Sequence, residues 1–106
     1  MTIDLIASRR FRATRSGGDE FEIELGVGRP VQCGDDEWKC AVLLKGLYEH
    51  LADQHGVDSW QALMLAQNLA RQLLAAFIED GGQLLDVDTG SVIVRVEEIF
   101  RHGTGR

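Results

Sequence analysis

Two stretches near the start of the chain place most of their apolar residues at every second position. The apolar residues are Ile3, Leu5, Ala7 and Phe11 in the first stretch and Phe21, Ile23, Leu25 and Val27 in the second. Period-two alternation predicts half-buried strands over residues 3–13 and 20–27. The turn residues at 16–19 join them into a β-hairpin. In that hairpin we expect Arg10 and Arg12 to lie across from Glu22 and Glu24.

Residues 37–45 fit two structures, because their apolar positions match the period of a strand as well as that of a helix. The strand pattern consists of Trp38, Cys40, Val42 and Leu44, and the helical pattern of Cys40, Leu44, Leu47, Tyr48 and Leu51. We predict a third strand that ends at Lys45, a break at Gly46 and a short helix over residues 47–54.

The most regular pattern in the chain lies between residues 58 and 82. Good helix formers fill its interior, which contains neither Pro nor Gly before Gly81 and Gly82. Asp58 and Gln61 have the spacing of a capping box, in which Gln61 binds back to the N–H group of Asp58. The two glycines supply the left-handed residue that commonly ends a helix. The sequence therefore predicts a long central helix with both ends marked.

This helix is apolar over roughly twice the arc that a surface helix needs to cover a core. Its narrow polar stripe consists of Gln61, Asn68, Gln72 and Glu79. One layer of sheet cannot cover the remainder, so we expect a second element or a second copy of the chain to lie against it. We predict a partner-binding surface formed by Trp60, Met64, Gln67 and Arg71.

Arg71 interrupts the apolar surface of the helix, and Gln67 does the same one turn earlier. The Arg71 side chain either lies flat on apolar neighbours and carries its charge out to water, or it binds a carboxylate of the chain or of a partner. The sequence leaves both readings open.

Two short apolar runs follow the helix, at residues 84–87 and 92–100, and the turn residues 88–90 join them into a predicted second hairpin. The complete prediction is an α+β fold with an antiparallel sheet of about five strands. Its order is β-hairpin, third strand, short helix, long central helix and C-terminal β-hairpin. We expect residues 1–101 to form one domain and residues 102–106 to be a frayed tail.

The composition is that of an ordinary soluble protein, with 44% hydrophobic and 26% charged residues among 106. The net charge of −6 disfavours binding to nucleic-acid phosphates. No apolar run approaches the ~20 residues that span a bilayer, and the first residues lack a signal-peptide pattern. We therefore expect a cytoplasmic protein with neither a nucleic-acid nor a membrane partner.

Four side chains of metal-ligating type invite comparison with zinc sites: Cys33, Cys40, His50 and His55. The spacing of the two cysteines exceeds the usual two to four intervening residues. Cys40 is also expected to point into the core, where a free cysteine behaves as a small hydrophobe. We predict no metal and no other cofactor.

Residues 86–97 contain two motifs without their usual context. Asp88-Thr89-Gly90 is the aspartic-protease signature but also ordinary turn chemistry. The stretch also mimics a calcium loop, yet Ser91 stands where the required glycine would be. We predict no catalytic residues. The enzyme alternative is a small hydrolase-type or metal-dependent enzyme centred on His50, His55 and Asp58, whose commoner reading is a polar helix end.

Four segments form a recognisable combination: Gly-Arg-Pro at 28–30, Asp-Glu-Trp-Lys-Cys at 36–40, Lys-Gly-Leu at 45–47 and Gly-Val-Asp-Ser-Trp-Gln-Ala-Leu at 56–63. Together they resemble a group of small bacterial proteins of unknown function, which share a Trp-x-Cys strand and a Gly-Val-Asp-x-x-Gln-Ala-Leu helix start. The resemblance implies an α+β fold, favours the strand for residues 37–45 and implies no activity.

These patterns together predict a non-catalytic protein-interaction or accessory module, by analogy of the immunity or regulatory type. We expect it to bind a protein partner or itself. A homodimer would form through the excess apolar surface of the central helix or through a sheet edge.

Overall fold

The computed structural model describes residues 4–100. Its elements in chain order are β1 Leu5–Thr14, β2 Glu20–Gly28, β3 Val31–Gly34, β4 Glu37–Cys40, β5 Val42–Lys45, β6 Gln54–Gly56, α1 Ser59–Glu79, β7 Gln83–Asp86, β8 Val92–Ile93 and α2 Glu97–Phe100. A five-stranded sheet has the order β5-β2-β1-β7-β8, and a three-stranded sheet has the order β3-β4-β6. The strand pairs are antiparallel, so the predicted α+β fold with a five-stranded antiparallel sheet is confirmed. The predicted tail, residues 102–106, lies outside the described residues.

The predicted hairpin is confirmed as β1 and β2. Arg10 lies across from Glu24 and Arg12 across from Glu22, although the guanidinium of Arg12 binds the carboxylate of Glu20 instead. Apolar residues of both strands are buried, but Ala7, predicted to point inward, is exposed. The pairing register shifts between Leu5 and Ala7, which separates this end of β1 from the regular alternation. Ile3 lies outside the described residues.

The strand predicted over residues 37–45 is confirmed but divided. β4 belongs to the three-stranded sheet and β5 to the five-stranded sheet, with Ala41 between them. The carbonyl oxygen of Ala41 accepts a hydrogen bond from the N–H group of Gly28 at 2.9 Å. This bond satisfies a backbone group at the point where the chain leaves one sheet for the other.

One predicted element, the short helix over residues 47–54, is wrong. Residues 47–53 form no helix, and β6 follows directly, with Gln54 paired to Cys40 of β4. Pairing with a distant strand therefore outweighs the local helical spacing of these residues. The predicted C-terminal hairpin is confirmed as β7 and β8, which pair antiparallel. Its second strand is shorter than predicted, Val92–Ile93, and residues 97–100 form the short helix α2 instead.

The long central helix is confirmed as α1, with both ends close to the predicted positions. Asp58 accepts a hydrogen bond from the N–H group of Gln61 at 2.8 Å. The side chain of Gln61 accepts from Val57, not from Asp58, so the predicted capping box is displaced by one residue. At the other end, Gly81 takes a left-handed conformation and Gly82 donates to the carbonyl of Phe77 at 3.0 Å, which is a Schellman ending.

The turn between β7 and β8 is organised by Asp86. Its carboxylate accepts the N–H groups of Asp88 at 2.8 Å and Thr89 at 3.1 Å, and Arg9 lies 3.3 Å away. These two backbone hydrogen bonds, together with the guanidinium, lower the pKa of Asp86. The aspartic-protease motif at residues 88–90 thus lies in a hairpin turn, and the calcium-loop stretch runs from this turn through β8 to the first residue of α2.

Replacing the helix cap, Asp58→Ala, should destabilise the fold by about 1 kcal/mol, because one N–H group of the first turn loses its partner. Thermal unfolding should shift down by roughly 4–8 °C. Asp53→Ala is the matched control, since it removes an exposed carboxylate just before β6 that caps no helix. Equal losses in the two variants would contradict the capping role.

The variant Asp86→Asn should be less stable than the wild type at neutral pH. A lowered folded-state pKa means that Asp86 contributes stability above the ordinary aspartate pKa of about 3.9, and that this contribution is lost as the pH falls through the folded-state value. Urea unfolding as a function of pH should therefore show the two proteins converging in acid. Asp88→Asn should show no such difference, because its carboxylate accepts no hydrogen bond from residues 4–100.

Candidate functional site

The face of α1 that meets the sheets is made of small residues. Ala62, Ala66 and Ala70 recur every fourth position and are fully buried, and Leu74 and Phe77 continue the stripe. Residues four apart lie on one side of a helix, and alanine adds little to its radius. The strands therefore approach α1 closely, and a large part of its apolar surface is directed elsewhere.

The predicted partner-binding residues lie on the outer face of α1. Trp60 is 72% exposed and Met64 is 49% exposed. Gln67 is exposed and Arg71 is half-buried. Their separations of four, three and four residues keep them on one side of the helix. The structure thus places all four on one continuous strip, which we call the outer face.

Arg71 lies along the helix surface. Its guanidinium donates a hydrogen bond to Oδ1 of Asn68 at 2.7 Å. Within residues 4–100, no carboxylate comes within ion-pair distance of it. This placement agrees with the reading in which Arg71 lies flat on its neighbours. A guanidinium carries five N–H donors, so most of them remain available to a partner.

Two shallow grooves adjoin the outer face. The first, of about 330 Å³, is lined by Met64, Leu65, Gln67, Asn68, Arg71 and Phe100. The second, of about 200 Å³ and more apolar, lies between β1, β2, α1 and α2 and shares Gln67 and Phe100 with the first. Phe100 and Leu65 were missed from the sequence, Phe100 because α2 was predicted as a strand. The helical spacing of Val96, Ile99 and Phe100 is the signal that could have found it.

The residues of the enzyme alternative have separate neighbours. His50 lines a small cavity beside β5, and Asp58 is engaged as the cap of α1. Nδ1 of His55 lies 3.1 Å from Oε2 of Glu37. Within residues 4–100, these three side chains do not form a cluster of ligating atoms.

The two cysteines also differ in environment. Cys40 is fully buried, and its thiol donates to the carbonyl of Gly28 at 3.3 Å. Burial raises the pKa of the Cys40 thiol, which disfavours the thiolate that a metal requires. Cys33 is exposed, and both thiols are free. The spacing argument against a Cys33–Cys40 zinc pair is therefore supported by the position of Cys40.

Within residues 4–100, no helix combines the length and hydropathy needed to cross a bilayer. No curated protein and no solved structure matches the chain. Residues 7–95 match the family model described as a domain of unknown function, DUF6968. The expectation of a family of unknown function is thus confirmed. Because the match covers most of the sequence, the chain belongs to the DUF6968 family.

Proposed function

We propose that this chain is a non-catalytic protein-interaction module whose outer face on α1 binds a second copy of the chain. The observation that carries the proposal is the exposure of Trp60, which leaves 72% of a large aromatic side chain in water. Tryptophan, methionine and arginine are enriched at protein interfaces, and buried tryptophan and arginine dominate their binding energy. The outer face contains all three.

The spacing of the outer face is self-complementary. In a two-fold symmetric pair, the same surface patch serves both copies. If two copies of α1 pack antiparallel about an axis midway between Met64 and Gln67, Met64 of one copy lies across from Gln67 of the other. In the same pairing, Trp60 lies across from Arg71 of the second copy. The guanidinium then stacks on the indole ring, a cation–π contact worth ~0.5–2 kcal/mol.

The charge on the outer face supports this arrangement. Arg71 is its only charged residue. Trp60 and Arg71 are separated by about 16 Å along the helix, from a rise of 1.5 Å per residue. The two Arg71 side chains of an antiparallel pair are therefore also about 16 Å apart, roughly two Debye lengths at physiological salt. Their repulsion is weak, while each retains an aromatic partner.

The proposal extends to where the protein acts and to what kind of role it has. A cytoplasmic protein of bacterial origin, with an immunity-like or regulatory role, fits a small acidic chain with two free thiols. Both sheets contact the same helix, which supports residues 1–101 acting as one domain. The enzyme alternative on His50, His55 and Asp58 gains no support from their separate neighbours.

The variant Trp60→Ala should weaken self-association about 30-fold or more, the equivalent of roughly 2 kcal/mol for a buried aromatic anchor. Light scattering after size exclusion, over a concentration series, should show the mass of two chains for the wild type and a shift to one chain for the variant. Val94→Ala is the control, because Val94 is 67% exposed outside the outer face. Self-association is contradicted by a single-chain mass of the wild type at every concentration, or by equal weakening in the control.

If the two helices pack in the antiparallel register, the effects of Trp60→Ala and Arg71→Ala on self-association should be energetically coupled. Within one chain these side chains are about 16 Å apart, so they can couple only across the interface. Sedimentation equilibrium of the single and double variants should give a coupling energy of ~0.5–3 kcal/mol. The pair Trp60→Ala and Gln72→Ala should be additive, since Gln72 lies on the polar stripe. Additivity of the first pair would rule out this register.

A further inference from the structure

A second cluster of reactive side chains lies on the three-stranded sheet. Cys33 of β3, Glu37 of β4 and His55 of β6 bring a sulfur, a carboxylate oxygen and an imidazole nitrogen within 4.8 Å of one another. All three residues are exposed. Nδ1 of His55 and Oε2 of Glu37 are 3.1 Å apart. Each strand of the sheet contributes one member of the cluster, which we call the Cys-Glu-His cluster.

The backbone explains why these three side chains meet. His55 pairs with Lys39, two residues beyond Glu37, so Glu37 and His55 rise on the same face of the sheet. Cys33 lies where the register between β3 and β4 shifts, and an irregularity of this kind re-aims a side chain. A methyl group on Gly34 would lie 3.2 Å from Oε1 of Glu37. The absence of a side chain at Gly34 thus leaves room for the Glu37 carboxylate.

We propose that the Cys-Glu-His cluster is a binding site for a divalent zinc ion. Thiolate, imidazole and carboxylate are the ligands of protein zinc sites, at about 2.0–2.3 Å from the metal. A tetrahedral site then holds its ligand atoms roughly 3.3–3.8 Å apart. The histidine–glutamate pair is close to this spacing, and a rotation of the exposed Cys33 side chain brings its sulfur in. Three protein ligands leave the fourth position to water.

The thiol of Cys33 determines which divalent metal the cluster prefers. Magnesium and calcium prefer oxygen ligands, whereas a soft thiolate beside an imidazole favours zinc.

The cluster also contains the residue types of a cysteine nucleophile with a histidine base. That chemistry requires a cavity to hold a substrate beside the thiol, and four of the cavities formed by residues 4–100 are lined by residues other than Cys33, Glu37 and His55. The geometry therefore favours metal binding over nucleophilic catalysis.

Zinc would also stabilise the fold, because a ligand that binds only the folded state shifts the unfolding equilibrium. The cluster connects all three strands of its sheet, of which β6 has only three residues and ends two residues before the cap of α1. A metal held between β3, β4 and β6 cross-links a segment that is otherwise secured by few backbone hydrogen bonds. This effect does not depend on self-association through the outer face.

The test uses the reduced full-length chain without an affinity tag, titrated with Zn²⁺ alone and with Co²⁺ alone. Calorimetry should give one Zn²⁺ per chain, and Co²⁺ should produce a thiolate-to-cobalt charge-transfer band. Cys33→Ser should abolish the band. Glu37→Gln and His55→Gln should weaken zinc binding by at least 10–100-fold, the loss seen when even supporting residues of metal sites are changed. His50→Gln is the matched control and should bind as the wild type does.

A second measurement keeps the proposal testable if a variant fails to fold. In the wild type, Zn²⁺ should protect the Cys33 thiol from alkylation by iodoacetamide, as located by mass spectrometry, whereas buried Cys40 should react slowly with or without metal. The site is overturned if wild-type binding equals that of Cys33→Ser, if His50→Gln loses as much affinity as His55→Gln, or if Zn²⁺ leaves the alkylation rate of Cys33 unchanged.

Discussion

The close packing of α1 on two sheets is the contact on which the rest of the structure depends. Three alanines, Ala62, Ala66 and Ala70, form the middle of that contact and are fully buried. A methyl group on Gly56 of β6 would lie 2.6 Å from the Ala62 nitrogen, which shows how closely strand and helix approach. Because alanines occupy the inner face of the helix from Ala62 to Ala70, the large residues of that part lie at the sides or outside. The exposure of Trp60 is therefore a consequence of how the core is packed.

The same helix packs against both sheets at the point where the strand is divided. α1 contacts strands of both sheets, and the chain passes from one sheet to the other at Ala41. Cys40 and Val42, on either side of Ala41, are both buried. The alternation of apolar residues is therefore continuous through the division. A hydrophobic pattern records which face of a strand is buried, but it does not record which strand forms the hydrogen bonds.

The elements marked by local signals could be predicted from the sequence. The prediction failed for residues 47–54, whose structure is determined by pairing with a strand distant in the sequence. α1 has a cap, a regular apolar repeat and a glycine ending, and β2 has a clear alternation over residues 21–27; each of these signals lies within a few residues. Residues 47–54 have helical spacing, but Gln54 pairs with Cys40 in a register that no local signal specifies. The outer face was predicted because an excess of apolar arc is visible in the helix alone. The Cys-Glu-His cluster could not be, because its members meet only through a strand register and a bulge.

The edges of the sheets are less suited to the proposed self-association than the helix is. An exposed edge strand offers a row of unpaired backbone groups, but the edges here are short: β8 has two residues, β6 three, and β3 and β5 four each. On one pair of inner strands, arginines of β1 lie across from glutamates of β2, so the charges there are already matched within the chain. The outer face of α1 is longer than these edges, since it spans about 16 Å of one helix. Its aromatic ring, Trp60, is 72% exposed, and no element within residues 4–100 covers it. Burial of that ring would provide a driving force that the short edges lack.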